Sequence, residues 1–136
     1  MEITISKQQG NVPVVIVQPH GDVDASNYIE LVNKVEALHK DGANDFVIDL
    51  GDVPFMSSAG LVALHSIAIM LRSEKSADPQ PGRNALKAMD RIRDRGMQKH
   101  VKLLSPQQHV AETFDKAGFT QFFEVFTDLQ KAVASF

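Results

Sequence analysis

The chain has 136 residues, 43% hydrophobic, 23% charged and 7% aromatic, which at roughly 150 residues per domain makes one compact folded unit and excludes disorder as its main state. Fourteen Lys and Arg against 17 Asp and Glu leave a net charge of −3, too small and of the wrong sign for a chain whose main partner is a nucleic-acid backbone. With no cysteine, disulfides, thiolate catalysis and cysteine-ligated zinc are excluded, and the fold must rest on its apolar core.

Met1 to Gln9 is polar and lacks the apolar run of a signal peptide, so a cytoplasmic location is expected. Ile3 and Ile5 predict a short first strand, and the β-branched run Val12–Val17 a second, joined as a hairpin through Gly10 and Asn11. Tyr28, Leu31, Val32, Val35 and Leu38 recur at helical spacing, with Asp24, Ser26 and Asn27 as capping side chains before them and Gly42 after them. Asp45–Leu50 predicts a buried strand ended by Gly51, Asp52 and Pro54. Ala59 to about Arg72 predicts a helix that is apolar on most faces and therefore buried. Pro54–Leu71 is uncharged, but Pro54, Ser57, Ser58, His65 and Ser66 interrupt it, which argues against a membrane span.

Residues 74–84, with two prolines and a glycine, predict a mobile surface loop, and Ala85–Arg95 a short helix with a thin apolar stripe. His100–Leu104 predicts a strand. Pro106 in a first turn, then Val110, Ala111, Phe114 and Ala117, then Gly118, predict a helix. Phe122–Phe126 predicts a last strand and Thr127–Phe136 a terminal helix. Strands separated by helices need crossover connections, so the expected fold class is α/β: a mixed, mostly parallel sheet with an N-terminal edge hairpin, packed against α-helices. The predicted core includes Val15, Val17, Phe46, Ile48, Leu64, Ile67, Leu71, Val101, Leu103 and Phe114.

Charge is unevenly spread. Residues 1–71 carry 3 basic and 9 acidic groups (−6), residues 72–102 carry 9 and 4 (+5), and residues 103–136 carry 2 and 4 (−2). A basic connection at about 73–99 thus joins two acidic parts, as a solvated segment or as a docking surface.

Asp49 to Leu61 places two hydroxyls, Ser57 and Ser58, between the end of a predicted strand and the start of a buried helix. Ligands and chemistry in parallel sheets gather at that edge. Unpaired N–H groups and a positive macrodipole at a helix start tolerate an anion such as a phosphoserine. On spacing alone, either serine also serves as an ordinary helix cap.

Phe55-Met56-Ser57-Ser58-Ala59-Gly60-Leu61 after the strand Phe46–Leu50 resembles the signature of the STAS domain family, the bacterial anti-sigma factor antagonists and their relatives in sulfate transporters. Gly21-Asp22-Val23-Asp24 and Leu103–Phe126 are similar to further parts of that family, so the resemblance covers nearly the whole chain as a single STAS-like domain, except about residues 74–97. In the family the motif reads aromatic or aliphatic, then Asp-Ser-Ser/Ala-Gly-Leu, and its first Ser accepts phosphate from an anti-sigma factor kinase. Matching through Phe55, Gly60 and Leu61 puts the acceptor on Ser58, and Asp24 is expected beside it, helping to position it. Ser57 stands where the family commonly has Asp, which leaves it as a second candidate acceptor, and the connection from Arg72 to His100 is longer than is usual in the family.

The resemblance implies a cytoplasmic regulatory module that needs no cofactor and has no catalytic residue. It would bind an anti-sigma factor with serine kinase activity through Asp22, Asp24, Ser57, Ser58, Ala59 and Gly60. Phosphorylation would switch it off, and a serine phosphatase would reverse the switch. The alternative is a STAS scaffold subunit of a signalling or lipid-transport assembly in which Ser58 is never modified. An enzyme using Ser58 as nucleophile would need a base, for which His20 is the candidate, but the Gly-x-Ser-x-Gly elbow is absent. The five histidines show no ligand spacing, no Gly-x-x-x-x-Gly-Lys loop occurs, and His65 is expected to pack on its helix.

Overall fold

The computed structural model describes residues 1–72 and 97–136. The expected loop at 74–84, the helix Ala85–Arg95 and most of the basic connection at 73–99 lie outside the described residues.

Five strands form one sheet: β1 (Glu2–Gln9), β2 (Pro13–His20), β3 (Phe46–Asp49), β4 (Val101–Leu104) and β5 (Val125–Phe126), in the spatial order β1-β2-β3-β4-β5. β1 and β2 are the antiparallel edge hairpin, with Ile5 opposite Val17, and the remaining pairs are parallel, with Val15 beside Phe46 and Ile48 beside Leu103. The connecting helices are α1 (Tyr28–Lys40), α2 (Ser58–Leu71) and α3 (Gln108–Ala117). Strands that follow one another in one direction, joined by crossovers of one hand, put every connecting helix on the same sheet face. That face is the main core: Val15, Val17, Phe46, Ile48, Val101 and Leu103 from the strands meet Leu31 and Val35 of α1, Leu64 and Ile67 of α2 and Phe114 of α3. All ten residues expected in the core are buried.

The second face is covered by a short terminal helix, α4 (Leu129–Ala134), whose Ala132 and Val133 pack on Val14, Ile16, Val47 and Leu104. α4 is capped by Asp128, whose carboxylate accepts from the N–H groups of Gln130 and Lys131. Lys102, on this face, is buried with its Nζ 2.9 Å from Glu124 Oε1 and 4.9 Å from the centre of the Phe136 ring.

Three local expectations are corrected. Phe122 and Phe123 are not strand residues: a 3-10 turn over Phe119–Gln121 leads them into the core, where Phe119 lies 5.0 and 5.4 Å from their rings, and only Val125 and Phe126 pair with β4. Pro106 precedes the Gln107 cap instead of standing in the first turn of α3; Gly118 does end that helix, at φ 75°. The side chains before α1 do not cap it. Asn27 reaches back to the Asp22 carbonyl at 2.9 Å, and the Asp24 carbonyl takes the N–H groups of Asn27 and Tyr28.

Candidate functional site

The C-terminal ends of the parallel strands carry the loops that bring Asp22, Asp24, Ser57, Ser58, Ala59 and Gly60 to one end of the sheet. A backbone ladder joins two of these loops. Val23 and Met56 form a parallel bridge, the Val23 N–H donates to the Phe55 carbonyl at 3.0 Å, and the Ser57 N–H donates to the Val23 carbonyl at 3.0 Å. Val23 and Met56 are buried beneath it. Residues 22–24 and 55–57 are therefore held side by side by main chain, whatever their side chains do.

Gly60 locks the first turn of α2 onto that ladder. A Cβ there would sit 2.3 Å from Met56 Cγ and 3.2 Å from the Val23 carbonyl oxygen. Contacts that close leave no room for a side chain without displacing the turn that carries the two serines.

The serines differ. Ser57 is the N-terminal cap by position, its carbonyl accepting from the Leu61 N–H at 3.2 Å, but its side chain makes no capping bond. Its Oγ is buried and has no hydrogen-bond partner among the described residues. Ser58 is the first residue of α2 and is exposed to solvent. The Leu61 bond is the first of the helix, so the N–H groups of Ser58, Ala59 and Gly60 precede the intrahelical ladder. α2 is 14 residues long and begins at Ser58, which places the positive end of its dipole at that residue.

Carboxylates ring this end. Asp49 accepts the Gly51 N–H at 2.9 Å, Asp22 and Asp52 are exposed, and Asp24 is partly buried. The Ser26 hydroxyl and then the Ser26 N–H, both on Asp24 Oδ1, hold the Asp24 carboxyl below the usual carboxylate range. The hydrogen bonds of the Asp24 carboxylate go to Ser26, and the Val23 backbone bridge brings Asp24 beside the serine loop.

His20 does reach this edge, but its ring nitrogens are engaged elsewhere. Nε2 is 2.7 Å from Thr4 Oγ1 and Nδ1 contacts the Asp52 carboxylate, while the Gly21 N–H donates to the Asp52 carbonyl at 2.9 Å. The imidazole links a hydroxyl to a carboxylate, yet that hydroxyl is that of Thr4, on the edge strand, and not that of Ser58. His20 thus clamps the β3–α2 loop to the hairpin. Gln107 holds the same loop from the other side, Nε2 to the Gly51 carbonyl at 3.1 Å.

The sequence did not single out the Phe55–His109 pair, whose rings stack with centroids 5.6 Å apart at an interplanar angle of 18°. Phe55 stands in the loop leading to the serines and is 41% exposed. The residues are 54 positions apart, and no periodicity links them; an aromatic just before the serine pair was the only hint. His65 is buried on α2, as expected. No group of three or more metal-ligating side chains occurs among the described residues, and no helix among them is long and apolar enough to cross a membrane.

Comparison with known proteins identifies the family. A Bordetella bronchiseptica protein named as the anti-sigma factor antagonist BtrV is 26% identical over 136 residues, covering 100% of this chain and 95% of that one. The crystal structure of an anti-sigma factor antagonist from Mycobacterium paratuberculosis superimposes with a TM-score of 0.66 at 17% identity, covering 98% and 93% of the two chains. The Bacillus cell fate determinant SpoIIAA in its phosphorylated form does so with a TM-score of 0.55 at 11% identity, covering 97% and 96%. The sequence model of the STAS domain matches residues 4–76, more than half of the chain and all of the ladder that holds Ser57 and Ser58, so this chain belongs to the STAS domain family.

Proposed function

We propose that this chain is an anti-sigma factor antagonist whose unmodified form binds an anti-sigma factor serine kinase in the cytoplasm, and that phosphorylation of Ser58 releases it. The carrying observation is the contrast between the two serines: Ser58 is an exposed residue at the first turn of α2, whereas the Ser57 Oγ is buried. A kinase can reach one and not the other. Ser58 is therefore the acceptor, and Ser57, Ala59 and Gly60 shape the turn that presents it. The names of the relatives support the partner class.

Phosphate on Ser58 adds a charge of about −1.5 to −2 and three acceptor oxygens. The free N–H groups of Ala59 and Gly60 and the helix dipole solvate part of that charge, so the fold tolerates it. The same charge, among Asp22, Asp24 and Asp52, makes burial of this surface beneath a partner expensive. The switch is thus one of charge and hydration at the interface, with no refolding. The domain acts by binding and carries no catalytic residue; a phosphatase restores the active form.

The test is incubation of the chain with each purified anti-sigma factor kinase of its host and ATP, with the site read by mass spectrometry. Phosphate on Ser58, absent in Ser58→Ala and retained in Ser57→Ala, is the expected result. Ser57 in the place of the family's Asp favours one second reading, an unmodified scaffold subunit. Tight association with no phosphate transfer to any serine would establish that reading instead.

A further inference from the structure

Deepening the proposed function, and resting on it, we propose that the Phe55–His109 stack is the apolar anchor of the partner-docking surface, and that the anti-sigma factor receives it in an apolar socket rimmed by Lys or Arg. Large apolar side chains are normally withdrawn from water, and most of those among the described residues are buried. Phe55 is held out of the core although its neighbours Val53 and Met56 are 0% and 2% exposed. Its position is not slack. The Phe55 carbonyl is fixed by the Val23 N–H at 3.0 Å, and its ring is braced against His109 at 5.6 Å before any partner arrives. A pre-ordered aromatic loses little conformational entropy on docking, the usual property of an interface hot spot.

The surroundings identify the occupant by charge. Residues 20–27, 49–60 and 105–109, which build this end of the sheet, contain Asp22, Asp24, Asp49 and Asp52 and no Lys or Arg. An apolar centre inside a carboxylate rim calls for an apolar pocket inside a cationic rim. Phe55 stands three residues before Ser58, so a phosphate on Ser58 would be drawn into the dehydrated centre of the contact and away from the rim where partner cations lie. The off-switch then acts through the cost of dehydrating the phosphate beside Phe55, a cost that outweighs its attraction to the cationic rim.

The experiment is calorimetric titration of the anti-sigma factor kinase that binds the unmodified chain with wild type, Phe55→Ala, His109→Ala, Asp22→Asn and Ser58→Asp, at 0.1 and 0.5 M NaCl. Phe55→Ala should bind at least 10-fold more weakly at both salt concentrations, with the fold retained by circular dichroism and only a small drop in thermal midpoint from loss of the partly covered, stacked ring. His109→Ala should lose less, and the Asp22→Asn deficit should shrink in high salt as the rim charges are screened. Phe55→Ala binding within 2-fold of wild type, while Ser58→Asp is weakened, would overturn the anchor and leave the proposed function standing. Equal affinity of wild type and Ser58→Asp, or no host kinase that binds, would overturn both.

Discussion

Replacing Gly60 with Ala tests whether the site depends on the contact between α2 and the Val23–Met56 ladder. The added Cβ would lie 2.3 Å from Met56 Cγ and 3.2 Å from the Val23 carbonyl oxygen. Met56 is 2% exposed and cannot swing into solvent without opening the core, so the turn must lift or Met56 must repack. Overpacking of this kind costs about 1–3 kcal/mol. Against it stands the higher helix propensity of Ala, worth at most about 1 kcal/mol and less in a first turn. A net loss of about 1–2 kcal/mol is expected, read as a lower midpoint in denaturant titration with unchanged slope. In a double-mutant cycle with Met56→Ala, the two changes should couple by more than about 0.5 kcal/mol. A Gly60→Ala protein as stable as wild type would refute the reasoning, because the steric term would then be absent.

Four other outcomes follow from the same geometry. Ser57→Ala should be neutral or slightly stabilising by denaturant titration, because it removes a buried hydroxyl that lacks a partner; a loss near 1 kcal/mol would show that Ser57 is a working cap. Ile48→Ala, fully buried in the central strand, should cost about 2–5 kcal/mol, and a loss below about 1 kcal/mol would contradict the packing. Glu124→Ala removes the carboxylate that pairs with the buried Lys102 ammonium among the described residues, leaving it the Ser135 carbonyl at 3.3 Å, and should cost about 1.5–3 kcal/mol, most of it recovered when Lys102→Met is added. The Asp24 carboxyl titrates below its ordinary value of 3.8 because Ser26 donates to it. Its stabilising share is therefore complete above that ordinary value and is lost as pH falls through the lowered one. Carbon-detected NMR titration should show the Asp24 midpoint rising in Ser26→Ala, and an unchanged midpoint would remove Ser26 as the cause.

The parts of the fold legible in the sequence were those with a local cause. The β-branched run before His20, the helical spacing from Tyr28 to Leu38 and the Gly118 stop each rest on neighbours in the chain, and the parallel sheet follows from their alternation. Phe122–Phe126 reads as a strand because its aromatics have the composition of one, whereas Phe122 and Phe123 in fact pack with Phe119 around a tight turn that buries three rings together, a tertiary arrangement. The serine pair was legible as a motif, but not which hydroxyl faces water: that depends on where the first turn of α2 meets the Val23 ladder. The positions of Asp24 and Phe55 are set by backbone bonds between segments about 30 residues apart, which no spacing reveals.

The central claim is that one exposed hydroxyl at the start of α2 controls partner binding. Its most direct measurement is the affinity of the anti-sigma factor kinase for the unmodified chain and for the chain phosphorylated on Ser58, each by calorimetry and each checked for an unchanged thermal midpoint. The account predicts at least a ~10-fold weaker complex for the phosphorylated form, a difference of about 1.4 kcal/mol or more, with Ser58→Ala binding like the unmodified chain in the presence of ATP. Equal affinities for the two forms would contradict it.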